Sequence, residues 1–200
     1  MIIRHNRASK FSIAATVLLV LFGDTEAARA AQWIIDPARS KLGFSGTQVG
    51  TQFQGTLTPY TARINFDPAD LANSSVHIEI DPASATTGDP QRDAALPATE
   101  WFDVADFPKA VFDATSIQTT GTNAFNADGK LTIRGVTLPF SLPFTLEIDG
   151  ATAHATGHAQ LIRTDFGVGQ GPWTSGDFVA LKVDVNIDLV ATRGQATTSQ

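Results

Sequence analysis

Residues 178–190, FVALKVDVNIDLV in one-letter code, set Val179, Leu181, Val183, Val185, Ile187 and Leu189 against Ala180, Lys182, Asp184, Asn186 and Asp188. A period of two held this long predicts a β-strand with one apolar and one wet face, because successive side chains of an extended chain point to opposite sides. Working outward, residues 75–81 repeat the pattern, with Val76, Ile78 and Ile80 against His77, Glu79 and Asp81. Leu142, Phe144, Leu146 and Ile148 do likewise, and Asp149-Gly150 then supplies a positive-φ turn into a strand over 151–162. Asp128-Gly129 reads as a second such turn, between strands at 124–126 and 130–134. Segments 32–36, 40–46, 51–58, 61–66 and 110–119 bring the total to about ten strands. Pro139 and Pro143 flank Phe140 and withhold two backbone donors, which suits an edge or a bent strand. The one helix-permissive stretch, 90–102, is short, so the pattern predicts an all-β antiparallel sandwich or barrel.

Composition narrows the function classes. The 200 residues are 42% hydrophobic and 17% charged, with thirteen Phe and three Trp, which is enough apolar bulk for one domain with its own core. The absence of cysteine excludes disulfides, thiol nucleophiles and thiolate metal sites. A net charge of -6 argues against nucleic acid, whose phosphates need a basic face.

The amino terminus is predicted not to belong to the fold. Arg4, His5, Arg7 and Lys10 precede an apolar run over 11–22, and Ala28-Arg29-Ala30 follows, the order of a secretory signal peptide. The run is shorter than the ~20 residues of a spanning helix. Residues 1–30 are therefore expected to be removed, leaving 10 basic and 18 acidic residues. The domain is expected to span 31–192, with a flexible tail at 193–200. In a Gram-negative host, export means the periplasm.

Five ordered motifs carry a family resemblance. They are Trp33-Ile34-Ile35-Asp36-Pro37 with Ser40, Leu42, Phe44 and Ser45; Ile64-Asn65-Phe66-Asp67-Pro68 with Asp70-Leu71; and Arg92-Asp93, Leu96, Trp101-Phe102-Asp103-Val104 and Phe107-Pro108. The last two are Lys130-Leu131-Thr132-Ile133-Arg134-Gly135-Val136-Thr137 and Arg163-Thr164-Asp165-Phe166-Gly167-Val168-Gly169. On these the chain resembles the YceI-like proteins. The resemblance implies an extended lipocalin-like antiparallel barrel, exported, that holds an isoprenoid-type lipid such as a polyprenyl phosphate or a quinone. Transient membrane contact and a dimeric state are compatible with it. The chain departs from the family where histidines are common, carrying Arg39, Gln48 and Ala95, which puts the head-group preference in question.

An eight-stranded barrel is just wide enough to be filled by side chains or to hold one small ligand. The apolar faces offer Phe44, Phe53, Leu57, Ile64, Phe66 and Ile78 as lining, together with Ile80, Phe112, Phe144, Val179, Leu181 and Val183. Periodicity alone reads each as plain core; the resemblance reads the set as a lipid cavity. Arg92, Arg134 and Arg163 are either loop-fixing ion pairs or the receivers of an anionic or carbonyl head group at the mouth. Residues 167–176, with Trp173, read as a flap that gates entry. His154 and His158 lie four apart on one strand face, ~13 Å at strand rise, too far to share a metal ion. His77 is assigned to the outer face, and Glu100 and Asp103 to solubility or loop hydrogen bonding rather than acid/base work. No cofactor, metal or catalytic residue is expected. Two classes stay open: a non-enzymatic lipid carrier, and a structural or stress-response interaction module whose barrel is filled by its own Phe side chains.

Overall fold

The alternating segments form ten strands in the computed structural model, which describes residues 30–194 other than Pro59. The signal-peptide reading falls, apart from Ala30, outside the described residues. In chain order the strands are β1 (Ala31–Ile35), β2 (Lys41–Gln48), β3 (Thr51–Thr56), β4 (Tyr60–Phe66) and β5 (Ser75–Ile80). After helix α1 (Pro90–Ala95) come β6 (Ala110–Gly121), β7 (Ala124–Ile133), β8 (Val136–Asp149), β9 (Thr152–Ile162) and β10 (Lys182–Arg193). The expected start of the tail at 193 is too early: Arg193 ends β10, and the Gly194 N–H donates to the Gln32 carbonyl at 2.7 Å.

Strands β4 to β10 pair in sequence order, and β1 closes the ring by pairing with both β4 and β10. The result is a closed, lipocalin-like barrel of eight antiparallel strands. On the side of β10 away from β9, β1 takes the carboxy-terminal part (Trp33↔Arg193) and β2 the amino-terminal part (Asp184↔Ser45). Between them the Ser40 hydroxyl accepts from the Val190 N–H at 2.9 Å and donates to its carbonyl at 3.1 Å, bridging the ladder where β1 gives way to β2. The hairpin β2–β3 extends the sheet beyond the ring.

Local chemistry explains the punctuation. Four Asp-Pro dipeptides each let the Asp carboxylate accept the N–H two residues on: Asp36 from Ala38, Asp67 from Ala69, Asp81 from Ala83 and Asp89 from Gln91. Proline fixes φ at the first position of a turn and the carboxylate satisfies the next donor, so the first three dipeptides end β1, β4 and β5 and the fourth caps α1. Two hairpins need positive φ at both central residues: Val49-Gly50 (49° and 74°) joins β2 to β3, and Arg134-Gly135 (50° and 73°) joins β7 to β8.

Two turn assignments are corrected. Asp128-Gly129 does not turn; it lies inside β7, opposite a bulge in β6 between Ala114 and Ser116. A Cβ at Gly129 would run into the Asp113 carbonyl oxygen and sit 2.8 Å from the Ala114 Cα, so glycine is there for close strand approach. The real β6–β7 turn uses Asn123 at φ 54°. The β8–β9 turn is centred on Gly150 and Ala151, one residue later than expected, because Asp149 pairs with Thr152. Gly129→Ala is expected to destabilise the fold by about 1–3 kcal/mol through overpacking, read from the urea midpoint; an unchanged midpoint would show that the bulge absorbs the methyl group.

The first strand pattern is corrected too. Lys182, not Phe178, opens β10. Four residues (180–183) separate the pairs Val179↔Gln48 and Asp184↔Ser45 on one strand, against two (46 and 47) on the other. The two extra residues break the alternation after Val179, and Phe178, ahead of β10, is 59% exposed.

On the outer face His77 Nδ1 lies 2.5 Å from Asp113 Oδ1, and its Nε2 lies 3.2 Å from Glu79 Oε1. The Asp113 hydrogen bond raises the imidazole above its usual 6.5. A raised folded-state value means this stabilisation is complete below pH 6.5 and is lost as pH climbs through the folded value. His77→Gln is expected to flatten that slope in urea midpoints measured across pH, without changing affinity for a ligand inside the barrel.

Candidate functional site

The inward faces of the strands enclose two apolar cavities of about 170 and 90 Å³. Ile78, Phe112, Leu142, Ile187 and Leu189 belong to the walls of both, so the two chambers adjoin. The larger is comparable to the ~150 Å³ apolar cavities that stay dry and accept apolar guests. The smaller ends against an aromatic cluster, in which Phe125 stacks on Phe144 at 5.5 Å and meets Phe66 edge-on at 5.4 Å.

Of the residues named from the pattern, Phe44, Phe53, Leu57, Ile80, Val179 and Val183 line the larger chamber; Ile64, Phe66 and Phe144 line the smaller; Ile78 and Phe112 line both. Leu181 does not line either: the bulge turns it toward the 167–176 segment, where a Cβ on Gly176 would lie 2.9 Å from its Cγ. Sequence reasoning missed Tyr60 and, apart from the 167–176 flap, the cover. Leu96, Trp101 and Phe102, from the segment between α1 and β6, and Phe166 and Val168, after β9, cap the larger chamber. Adjacent large aromatics in a turn-rich segment were the available signal.

The three arginines differ in what they can still do. Arg163 is 3% exposed and all five of its side-chain N–H groups are committed to backbone carbonyls. Nε donates to Ala180 (3.1 Å), Nη1 to Val168 (2.9 Å) and Gly169 (3.3 Å), and Nη2 to Trp173 (2.5 Å) and Val179 (2.7 Å). Burial lowers its pKa, and its guanidinium lies 5.3 Å from the Trp101 ring centroid. It therefore staples the flap to the barrel. Arg134 donates to the Gly167 and Thr99 carbonyls at 3.1 and 2.7 Å and meets Asp103 Oδ2 at 3.3 Å, joining the two covering segments. The Glu100 backbone carbonyl accepts from the Gly169 and Gln170 N–H groups, which ties the segment after α1 to the flap. Arg92, partly exposed, stacks 4.7 Å over the Phe53 ring and donates to Gln48 Oε1 at 3.0 Å. Gln48 is thus the acceptor for a guanidinium. Arg39 pairs with Asp36 at 2.7 Å on the surface, and Ala95 ends α1.

His154 and His158 face outward, with Asp188 at 2.7 Å and Asn186 at 2.9 Å.

Known proteins resemble this chain in sequence and fold. A UPF0312 protein of Pseudomonas savastanoi pv. phaseolicola is 30% identical over 191 residues, covering 90% of this chain and 97% of that relative. The crystal structure of BcnA from Burkholderia cenocepacia matches with a TM-score of 0.77 at 34% identity, covering 80% of this chain and 100% of that one. A polyisoprenoid binding domain from Saccharophagus degradans matches with a TM-score of 0.61 at 14% identity over 83% of this chain and 99% of that one, a likeness of fold. The YceI-like domain matches residues 33–191, and the chain belongs to that family.

Proposed function

We propose that this chain is an exported, non-catalytic carrier that holds an isoprenoid-type lipid, through its polyprenyl or quinone tail, for transport, storage or sequestration. The observation that carries this reading is the pair of adjoining apolar chambers inside one closed barrel. Each CH₂ buried there contributes about 0.8 kcal/mol, so a long tail is held by burial and needs no reactive group. The polyisoprenoid-binding description of a neighbour with this fold supports the ligand class.

Native mass spectrometry of the periplasmic protein, before and after organic extraction, is the test. The expected result is an extractable adduct with the mass of an isoprenoid lipid. A barrel that carries none and takes up no prenyl chain would overturn the proposal in favour of a side-chain-filled interaction module. The same spectra are expected to show a polypeptide beginning at Ala31; retention of residues 1–30 would sink the export reading.

A further inference from the structure

Two segments cover the larger chamber, and they are held very differently. The flap is fastened by Arg163, whose donors reach Val168, Gly169 and Trp173 on one side and Val179 and Ala180 on the other, and by Arg134, which reaches Gly167. The segment that carries α1 is tied chiefly to itself. The Asp93 carboxylate accepts from the Thr86 hydroxyl at 2.7 Å and from the Thr87 N–H and hydroxyl at 2.7 and 2.6 Å, and no residue of α1 is buried.

Its attachment to the barrel is along β3, the end strand of the sheet, which pairs with β2 alone. At Thr56 the outer edge of β3 meets Thr86, each N–H donating to the other's carbonyl at 2.9 and 3.0 Å. Every second residue of an antiparallel strand turns its N–H and C=O to the same edge, so those of Gln52 and Gln54 face the way Thr56 does. Among the described residues no backbone group pairs with them there. From Thr56 to the hairpin tip the seam between β3 and α1 is crossed by one hydrogen bond, from Arg92 Nη1 to Gln48 Oε1, with the guanidinium over the Phe53 ring. Phe53, on the strand side of the seam, and Leu96, at the end of α1, both line the larger chamber.

Magnitude decides which cover opens. Displacing the flap breaks the contacts of a buried cation, whereas displacing α1 breaks one hydrogen bond and one ring contact of a partly exposed one, and exposed charged contacts are worth far less than buried ones. We infer that the lipid enters and leaves the larger chamber through the seam between β3 and α1, with α1 as the door and Arg92 as its latch. This rests on the lipid-binding reading above and adds the route and the residue that gates it.

The test mixes the delipidated mature protein, Arg92→Lys and Arg92→Ala with farnesyl benzoquinone, and follows uptake by quenching of tryptophan fluorescence, Trp101 being part of the chamber wall. Release is followed into excess phosphatidylcholine vesicles. Arg92→Ala is expected to speed uptake and release together by about tenfold, with Arg92→Lys between it and the parent. Hydrogen exchange of the delipidated proteins gives the second readout. The Leu96 N–H, which donates to the Arg92 carbonyl, is expected to exchange faster in Arg92→Ala, while the Val168 N–H, which donates to the Arg163 carbonyl in the flap, keeps its parent rate. Unchanged uptake would overturn the inference, as would faster release without faster uptake, which would make Arg92 a holder of the ligand, or faster exchange at Val168, which would move the route to the flap. A parent protein that the quinone does not quench would overturn the lipid reading itself, and the route with it.

Discussion

Arg163→Leu is expected to lower folding stability by about 3–5 kcal/mol, the range for removing one partner of a buried charged contact. The residue it replaces is 3% exposed and donates five hydrogen bonds that join the flap carbonyls of Val168, Gly169 and Trp173 to those of Val179 and Ala180. Leucine fills much of the space but leaves five carbonyl oxygens without a donor. The full sum of five bonds will not appear, because the flap can relax and let water reach some of them. Arg163→Lys is expected to recover only part of the loss, since an ammonium has three donors and no planar fork. Gly169 shows how closely the guanidinium is held: a Cβ there would collide with Arg163 Nη1, and its φ of 82° excludes most side chains besides. Urea denaturation of the three proteins is the measurement, and a loss below about 1 kcal/mol for Leu would show that the flap is retained by other contacts.

Ile80→Trp is expected to abolish lipid uptake while the far-ultraviolet spectrum stays β-rich. Ile80 lines the larger chamber beside the aromatic wall, where added ring volume competes directly with the tail. Each five-carbon isoprene unit excluded forfeits about 4 kcal/mol of burial, close to a thousandfold in affinity. Lipid stoichiometry by native mass spectrometry decides the matter. A folded variant with undiminished stoichiometry would place the ligand elsewhere.

The strands were legible wherever one face is buried and the other is wet, because the period of two is then written in side-chain polarity; β5 and the main length of β10 are such cases. The failures have physical causes. Gly129 resembles a turn glycine in composition, yet its role is set by the Asp113 carbonyl of the neighbouring strand, which no local window contains. Leu181 continues the alternation on paper, but at the two-residue bulge against β2 its side chain lies against Gly176. The arginine motifs were visible as motifs only. That Arg134-Gly135 is a hairpin turn and that Arg163 has no free donor depend on carbonyls far along the chain. Tyr60 escaped notice because a lone tyrosine at a strand start carries no signal until the strands around it are in place.

The ring is closed by the first and last strands in sequence, through Trp33↔Arg193 and its neighbours. This imposes an order on biogenesis. A chain delivered amino terminus first, from the ribosome or through a translocation pore, holds β1 with one edge open until residue 193 has emerged. No truncated nascent form can seal the barrel, and the many long-range pairings make closure a slow final step. That interval is also when the interior is most accessible, so a hydrophobic guest present at the site of emergence can be enclosed during folding instead of threading past the stapled cover afterwards.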